Sequence, residues 1–126
     1  MLKISLVVLF VLLVSGCANH PSKEEIAAAD YGDYPFNAES VIKSYYDETL
    51  KDPSSVMYRG FSTPEKYMLG DVFSGPKYGY LVCASVNAKN SYGAYVGYKS
   101  EGFLIKNGKI VLVADNGMWI GNVVCK

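Results

Sequence analysis

The sequence predicts an α+β fold in which one amphipathic helix packs on a curled antiparallel sheet of five or six strands. Three observations support this prediction. Apolar residues recur at helical spacing between positions 38 and 51, runs rich in β-branched and aromatic residues begin at position 56, and two Asn-Gly dipeptides separate the last three runs. Residues 37–126 are therefore expected to form one small domain.

The helix is predicted to start after Asn37, whose side chain can cap the first turn. Apolar side chains recur at spacings of three and four, opposite a charged side: Val41, Ile42, Tyr45, Tyr46 and Leu50 against Glu39, Lys43, Asp47, Glu48 and Lys51. Asp52-Pro53 ends the helix, because the residue before a proline is pushed out of the helical region. A single helix cannot bury its own apolar stripe, so it must pack on the strands.

A C-terminal three-stranded meander is predicted from Asn107-Gly108 and Asn116-Gly117, which each favour the positive φ angles of a type I′ turn. Its strands are residues 103–106, 109–114 and 118–124, with earlier strands at 56–61, 67–73, 77–87 and 94–101. Two-residue turns set the register and pair Ile105 with Ile110, Phe103 with Leu112, Ala114 with Trp119, and Ile110 with Val123. The face expected to receive the helix carries Phe103, Ile105, Ile110, Leu112, Trp119, Val123 and Cys125.

Residues 1–16 have the layout of a signal peptide, with Lys3 before an apolar run and small residues at Ser15 and Gly16. The run Leu13-Val14-Ser15-Gly16-Cys17 resembles the lipobox of bacterial lipoproteins. The resemblance implies cleavage between Gly16 and Cys17, a diacylglyceryl group on the Cys17 thiol, and later acylation of the freed amine. An ordinary cleaved signal peptide and an uncleaved transmembrane helix are the competing interpretations. The apolar run is shorter than the roughly 20 residues that a membrane span needs.

Lipid attachment at Cys17 would anchor the mature protein permanently, because two or three acyl chains make release negligible. Lipoproteins of Gram-negative bacteria often stay in the inner membrane when aspartate follows the modified cysteine. Ala18 and Asn19 follow here, which implies the outer membrane, facing the periplasm, in such a host. Residues 17–36 are expected to form a flexible tether, in which Ser22 and Glu25 fit a capping box for one or two helical turns.

The chain has three cysteines, so lipidation of Cys17 leaves Cys83 and Cys125 as a pair. In an oxidising compartment these two are expected to form a disulfide, worth about 4 kcal/mol in the chain-entropy model. A plain meander would hold them too far apart, since bonded cysteines need Cα atoms within about 7 Å. Either the sheet curls until the last strand meets the strand of Cys83, or the last residues cross over a face. We favour the curled sheet.

Residues 82–99, read with Asp52-Pro53-Ser54-Ser55-Val56, contain the stretch VNAKNSYGAYVGYK. This combination resembles a segment that recurs in small bacterial envelope proteins of unassigned activity, over about residues 40–105. The resemblance implies a shared small domain with a helix, an Asp-Pro break and a Tyr/Gly-rich hairpin. It implies no catalytic residues.

The chain contains 11 tyrosines, and those after the polar loop at residues 87–93 suggest a binding surface. The candidate surface consists of Asn87, Lys89, Asn90, Tyr92, Tyr95 and Tyr98. The alternative is that the rings of Tyr78, Tyr80, Tyr95 and Tyr98 are cross-strand partners that stabilise a hairpin. Packing is the commoner use of such tyrosines, so this alternative carries the greater weight.

Several function classes are disfavoured. The full chain has 12 basic and 12 acidic side chains without a basic cluster, so nucleic acid is not an expected partner. The single histidine, His20, lies in the tether, so a Ser-His or Cys-His nucleophile, a zinc site and other metal sites are not expected. No cofactor is expected. The carboxylates of the domain are interpreted as solvated surface charge: Asp47, Glu48, Asp52, Glu65, Asp71, Glu101 and Asp115.

These observations favour a non-enzymatic, lipid-anchored envelope module that binds another envelope protein or supports an assembly. The contact would be the Tyr-rich hairpin or an open sheet edge. Two alternatives stay open. One is a domain that binds or hydrolyses a small molecule or glycan in the cup of the sheet, and the other is an inhibitor or immunity-like protein.

Overall fold

The structure, a computed structural model, describes residues 20–71 and 73–126. Within these residues the predicted α+β fold is confirmed: a helix packs on a curled, open antiparallel sheet. The helices are α1 (Lys23–Ala28) and α2 (Ala38–Thr49). The strands are β1 (Met57–Phe61), β2 (Glu65–Asp71), β3 (Gly75–Asn87), β4 (Lys99–Lys106), β5 (Lys109–Ala114), β6 (Met118–Trp119) and β7 (Asn122–Val123).

The main sheet has five strands in the order β1-β3-β4-β5, and β2 also pairs with β3. Strand β3 is 13 residues long, and two strands share one of its edges. Strand β2 pairs with its first half, from Gly75 to Leu81, and β1 pairs with its second half, from Ala84 to Asn87. Strands β1 and β2 run in the same direction along this edge, and between them the Ser62 backbone amide donates to the Cys83 carbonyl at 2.8 Å.

Helix α2 packs on one face of this sheet. Its buried residues Ala38, Ile42 and Tyr46 contact a cluster from β3 and β4 composed of Val82, Ala84, Val86, Phe103 and Ile105. Asn37 occupies the predicted cap position, but its side chain makes no capping hydrogen bond. The helix ends at Thr49, before the predicted Asp-Pro break, and Pro53–Ser55 forms a short 3-10 turn.

The opposite face of the sheet carries a smaller apolar cluster. Leu69, Leu81, Leu104 and Leu112 are buried there, with Trp119, Val124 and Cys83 packed against them. The sheet therefore has two apolar faces, of which the helix covers one and the C-terminal residues cover part of the other.

The first predicted hairpin is confirmed in its turn and corrected in its register. Asn107 and Gly108 have φ angles of 49° and 73°, and Ile105 pairs with Ile110. A bulge between Leu104 and Ile105 then pairs Phe103 with Val113 instead of Leu112. One extra residue moves every following side chain to the other face, so Val113 lies toward the helix and Leu112 lies on the opposite face.

The third strand predicted for the meander does not join the sheet. Asn116 and Gly117 adopt positive φ angles of 54° and 65°, but they belong to a 3-10 turn that carries the chain out of the plane of β5. Strands β6 and β7 pair only with each other, Met118 with Val123 and Trp119 with Asn122. The predicted pairings of Ala114 with Trp119 and of Ile110 with Val123 are therefore wrong.

The predicted disulfide between Cys83 and Cys125 is present, with Cα atoms 5.7 Å apart. The sheet is curled as expected, but its curl does not bring a last strand to the strand of Cys83: the last residues cross the face opposite α2. Glycine makes room for this crossing. A methyl group on Gly102 would lie 3.1 Å from the Cys125 sulfur, and one on Gly117 would lie 2.7 Å from the Cys125 Cβ.

Part of the expected tether is packed on the domain. The Ser22 capping box is formed, and α1 follows it as predicted. Tyr31 is buried with its ring 5.5 Å from that of Tyr78, and Tyr34 lies 5.3 Å from Tyr80. Aromatic contacts that the sequence did not reveal thus place the start of the packed domain before residue 37.

Candidate functional site

The candidate binding surface is a loop of residues 88–98, here called the tyrosine loop, which connects β3 to β4. Asn90 organises its turn. The Asn90 side-chain oxygen accepts hydrogen bonds from the backbone amides of Tyr92 (3.0 Å) and Ala94 (3.1 Å). The backbone amide of Asn90 donates to the Ala94 carbonyl at 2.8 Å. One asparagine therefore holds the tip of the loop in a single shape.

Two residues at the base of the tyrosine loop attach it to the sheet. Asn87 is buried, and its side-chain oxygen accepts a hydrogen bond from the amide of Gly97 at 3.1 Å. Lys89 forms an isolated β-bridge with Tyr95 and places its ammonium 5.5 Å from the Tyr95 ring centre. Asn87 is thus a structural residue, whereas Lys89 remains partly exposed.

Tyr95 and Tyr98 both contact the rest of the protein while keeping part of their surface exposed. The Tyr95 hydroxyl donates to the Ser55 carbonyl at 2.6 Å. The Arg59 guanidinium lies 4.4 Å from the centre of the Tyr98 ring, a cation–π contact. Both rings therefore pack partly against the protein, in agreement with the packing interpretation. Neither ring is a cross-strand partner of Tyr78 or Tyr80, as that interpretation supposed.

Tyr92 differs from the other tyrosines of the loop. Its side chain is 95% exposed at the tip, and Val96 is also exposed. An exposed aromatic ring on a turn fixed by hydrogen bonds can enter a partner's pocket with little loss of conformational entropy. Within the tyrosine loop, Tyr92 is the side chain most available for binding.

A buried carboxylate lies elsewhere, on the face of β4 that meets the helix. Glu101 is 4% exposed, and it pairs with Lys99 at 2.6 Å and accepts a hydrogen bond from the Asn116 amide at 3.1 Å. Burial raises the pKa of Glu101 above its ordinary value of 4.5. The hydrogen bond from Lys99 instead lowers the pKa of the exposed Asp115.

The sequence interpretation of Glu101 as solvated surface charge is wrong. The signal was present in the alternation of β4, because residue 101 shares a face with Phe103 and Ile105. Glu101 and Asp115 both bond to Lys99, and Glu101 also accepts from the turn at residues 115–117, so this cluster closes the C-terminal turn. This cluster does not line either of the two surface grooves at the other end of β2 and β3.

A groove of about 990 Å³ lies on the face of the sheet opposite α2, between the β2–β3 turn and the β6–β7 ribbon. Its walls are mostly apolar and include Tyr67, Leu69, Phe73, Pro76, Trp119 and Ile120, and His20 and Pro21 line one side. The Trp119 indole donates to the Gly70 carbonyl at 3.0 Å and holds the ribbon over β2. A second groove of about 910 Å³ shares His20, Asp71 and Phe73 with it.

The polar groups of the groove are occupied within their own turns. The Asp71 carboxylate accepts hydrogen bonds from the backbone amide (2.6 Å) and hydroxyl (2.9 Å) of Ser74 and from the backbone amide of Phe73 (2.7 Å), and these bonds lower its pKa. The Asn122 amide donates to the Ile120 carbonyl. These contacts leave a groove whose free surface is chiefly apolar. The sequence did not predict it, because it depends on how β6 and β7 leave the sheet.

The proposed lipid-attachment and cleavage residues, Cys17 and Gly16, lie outside the described residues. Between residues 20 and 126, Val72 apart, no helix has the length and apolar character to cross a membrane. No protein-family model matches this chain, and neither the curated proteins nor the solved structures that were searched contain a match.

Proposed function

We propose that the protein is a lipid-anchored, non-enzymatic binding module of the bacterial cell envelope. It is held to the membrane at Cys17 and contacts an envelope protein through the tyrosine loop. The observation that carries the proposal is the exposed Tyr92 ring at the tip of a turn fixed by Asn90. In a Gram-negative host the anchor lies in the outer membrane and the domain faces the periplasm.

The build of the tyrosine loop supports binding. Tyr95 and Tyr98 anchor the sides of the loop through Ser55 and Arg59, so little backbone freedom remains to be lost on association. Tyrosine is enriched among the residues that dominate protein interfaces, because it combines a large apolar ring with a hydroxyl that forms hydrogen bonds. Lys89 adds a positive charge beside the rings.

The envelope location is supported by two features of the chain. The lipobox resemblance at Leu13-Val14-Ser15-Gly16-Cys17 favours acylation. The Cys83–Cys125 disulfide is typical of proteins that fold in an oxidising compartment. A glycan-binding or hydrolysing function draws less support, because Asp71 and Asn122, which line the groove, make hydrogen bonds within their own turns.

The anchor is tested by metabolic labelling with an alkynyl fatty acid in the native host. We expect label on the wild-type protein and none on Cys17→Ala. Intact mass of the mature protein should show cleavage before Cys17 plus acyl chains. An unmodified N-terminus would refute the lipid anchor.

The partner surface is tested by placing a photo-crosslinking amino acid at position 96 in living cells. We expect a discrete crosslinked protein, with much weaker capture when Tyr92→Ser is added. The same crosslinker at Glu48, which is exposed on α2, serves as the control for random encounters. Equal capture from both positions, or none from position 96, would contradict the proposal. The identity of the captured protein distinguishes an assembly partner from an enzyme that the module inhibits.

A further inference from the structure

Two exposed apolar side chains mark the end of the domain at which the groove opens. Phe73, in the turn between β2 and β3, is 96% exposed. Ile120, at the tip of the β6–β7 ribbon, is 63% exposed. Both line the same groove, beside Trp119 and Val124. We call Phe73, Trp119 and Ile120 the apolar tip.

The backbone at Ile120 is unfavourable for the residue that occupies it. Its φ angle is +46°, and Gly121 follows at +74°, so the two form a tight turn that favours asparagine and glycine. A β-branched residue is rare in this left-handed region because its side chain crowds the backbone. Neither the positive φ angle of this isoleucine nor its exposed side chain stabilises the fold. Strain of this kind points to a role outside the folded domain.

The position of the N-terminal segment indicates which surface the apolar tip meets. His20 and Pro21 line the groove itself. Cys17 is three residues before His20, and three residues span at most about 11 Å even when fully extended. A lipid on Cys17 would therefore keep this end of the domain close to the membrane.

We propose that the apolar tip docks into the interfacial region of the bilayer that holds the anchor. This inference rests on the proposed lipid attachment at Cys17. Phe73 and Ile120 enter the boundary between headgroups and acyl chains, and Trp119, whose indole N–H is bonded to the Gly70 carbonyl, lies at its edge. The charges near His20 are mixed, Lys23 with Glu24 and Glu25, so the contact is apolar and does not require anionic lipid.

This docking orients the module. Strand β3 begins beside Phe73 and ends at Asn87, where the tyrosine loop starts. Its 13 residues span about 40 Å along the strand, at roughly 3.3 Å per residue. Seating the apolar tip in the membrane therefore directs Tyr92 away from the bilayer, toward a partner in the envelope.

The test uses Trp119, the single tryptophan of the chain, as a native reporter. The mature lipidated protein, which begins at Cys17, is reconstituted into zwitterionic phosphatidylcholine vesicles with brominated acyl chains. We expect the bromines to quench Trp119 and the bilayer to protect it from aqueous iodide, at low and high salt alike. Vesicle flotation of the same sample reports the lipid anchor independently.

Two substitutions remove the apolar tip without damaging the fold. Phe73→Ser deletes a ring that is exposed, and Ile120→Asn places a residue that tolerates positive φ. Each is expected to remove roughly half or more of the lipid-dependent quenching while flotation is unchanged. Phe36→Ser is the matched control, because Phe36 is 93% exposed and does not line either groove. It should leave the quenching as in the wild type.

The outcomes separate the two proposals. A protein that does not float with vesicles refutes the anchor. One that floats while Trp119 stays unquenched and open to iodide refutes only the docking. Trp119 shielded from both iodide and brominated lipid would mean that a second protein, another copy or the protein's own acyl chain covers the groove, which also overturns the docking. Equal quenching in Phe73→Ser, Ile120→Asn and Phe36→Ser would do the same.

Discussion

Burial of Glu101 beside the Asn116 turn makes the stability of the domain depend on pH. Because burial raises the pKa of Glu101 in the folded protein, the folded state holds this proton to higher pH than the unfolded chain. The resulting stability is fully present below pH 4.5 and is lost as pH rises through the folded pKa. The pKa values of Asp30, Asp71 and Asp115 are lowered in the folded protein, so these groups have the opposite effect. The stability that they contribute is present above pH 3.8 and is lost as the pH falls below it.

We expect Glu101→Gln to remove the decline in stability between pH 4.5 and neutrality. At pH 7 the free energy of unfolding should change by no more than about 2 kcal/mol, because glutamine can still accept from the Asn116 amide and Lys99 keeps Asp115. Urea denaturation across this range measures the effect. Asp115→Asn is the control and should keep the decline, and an unchanged slope in Glu101→Gln would show that another group causes it.

Single residues also decide which loops are free to bind. Asn90 fixes the tip that carries Tyr92, and Asn87 attaches the base of the same loop. Both asparagines were predicted as parts of one binding surface. In the structure the two have different roles. The side chain of Asn87 is buried and accepts a hydrogen bond from Gly97, whereas Asn90 holds a turn that leaves Tyr92 exposed.

At the scale of elements, the disulfide joins the C-terminal segment to the central strand of the sheet. Cys83 belongs to β3, and Cys125 follows the β6–β7 ribbon, which has no strand pairing with the sheet and also meets it through Trp119. The bond therefore holds the ribbon, and with it one wall of the groove, to β3.

Removing this disulfide is expected to lower the free energy of unfolding by about 4 kcal/mol, because the unfolded chain regains the freedom of a loop of 42 residues. Guanidinium denaturation of Cys83→Ala with Cys125→Ala measures the loss. The reduced wild-type protein should behave alike, and Cys17→Ala should retain the stability of the parent. A double variant as stable as the wild type would mean that the ribbon is held by packing alone.

The hairpin of β4 and β5 illustrates what local chemistry decides at this scale. Asn107-Gly108 determines the turn, and the turn pairs Ile105 with Ile110. The bulge one residue further on exchanges Leu112 and Val113 between the faces. No dipeptide in the sequence marks that bulge, because the bulge depends on which apolar face of the sheet each side chain of the hairpin meets.

At the scale of the whole molecule, the N-terminal segment belongs to the packed body. Tyr31 connects three elements: its hydroxyl donates to the Ile26 carbonyl at 2.7 Å, its ring meets Tyr78, and Lys66 lies 5.3 Å from the ring centre. This packing shortens the free part of the proposed tether. It also brings His20 to the groove.

We expect Tyr31→Ala to release residues 20–36 while the sheet stays folded. Limited proteolysis should cut this segment rapidly in the variant and slowly in the wild type, and the melting of the core should shift by a few degrees at most. Phe36→Ser, which removes an exposed ring from the same segment, is the control. Equal cleavage rates in Tyr31→Ala and the wild type would show that the segment is not held by this ring.

The sequence by itself determined the features whose signals are local: the amphipathic helix on the sheet, the Asn107-Gly108 turn, the α1 capping box and the pairing of two cysteines. Tertiary structure alone decided the course of β6 and β7 across the face opposite α2, the docking of Tyr31 and the apolar groove. The physical reason is that periodicity, capping and turn preference act over a few neighbouring residues. Which face a side chain meets, and which distant strand covers it, depends on contacts that form only when the whole sheet is assembled.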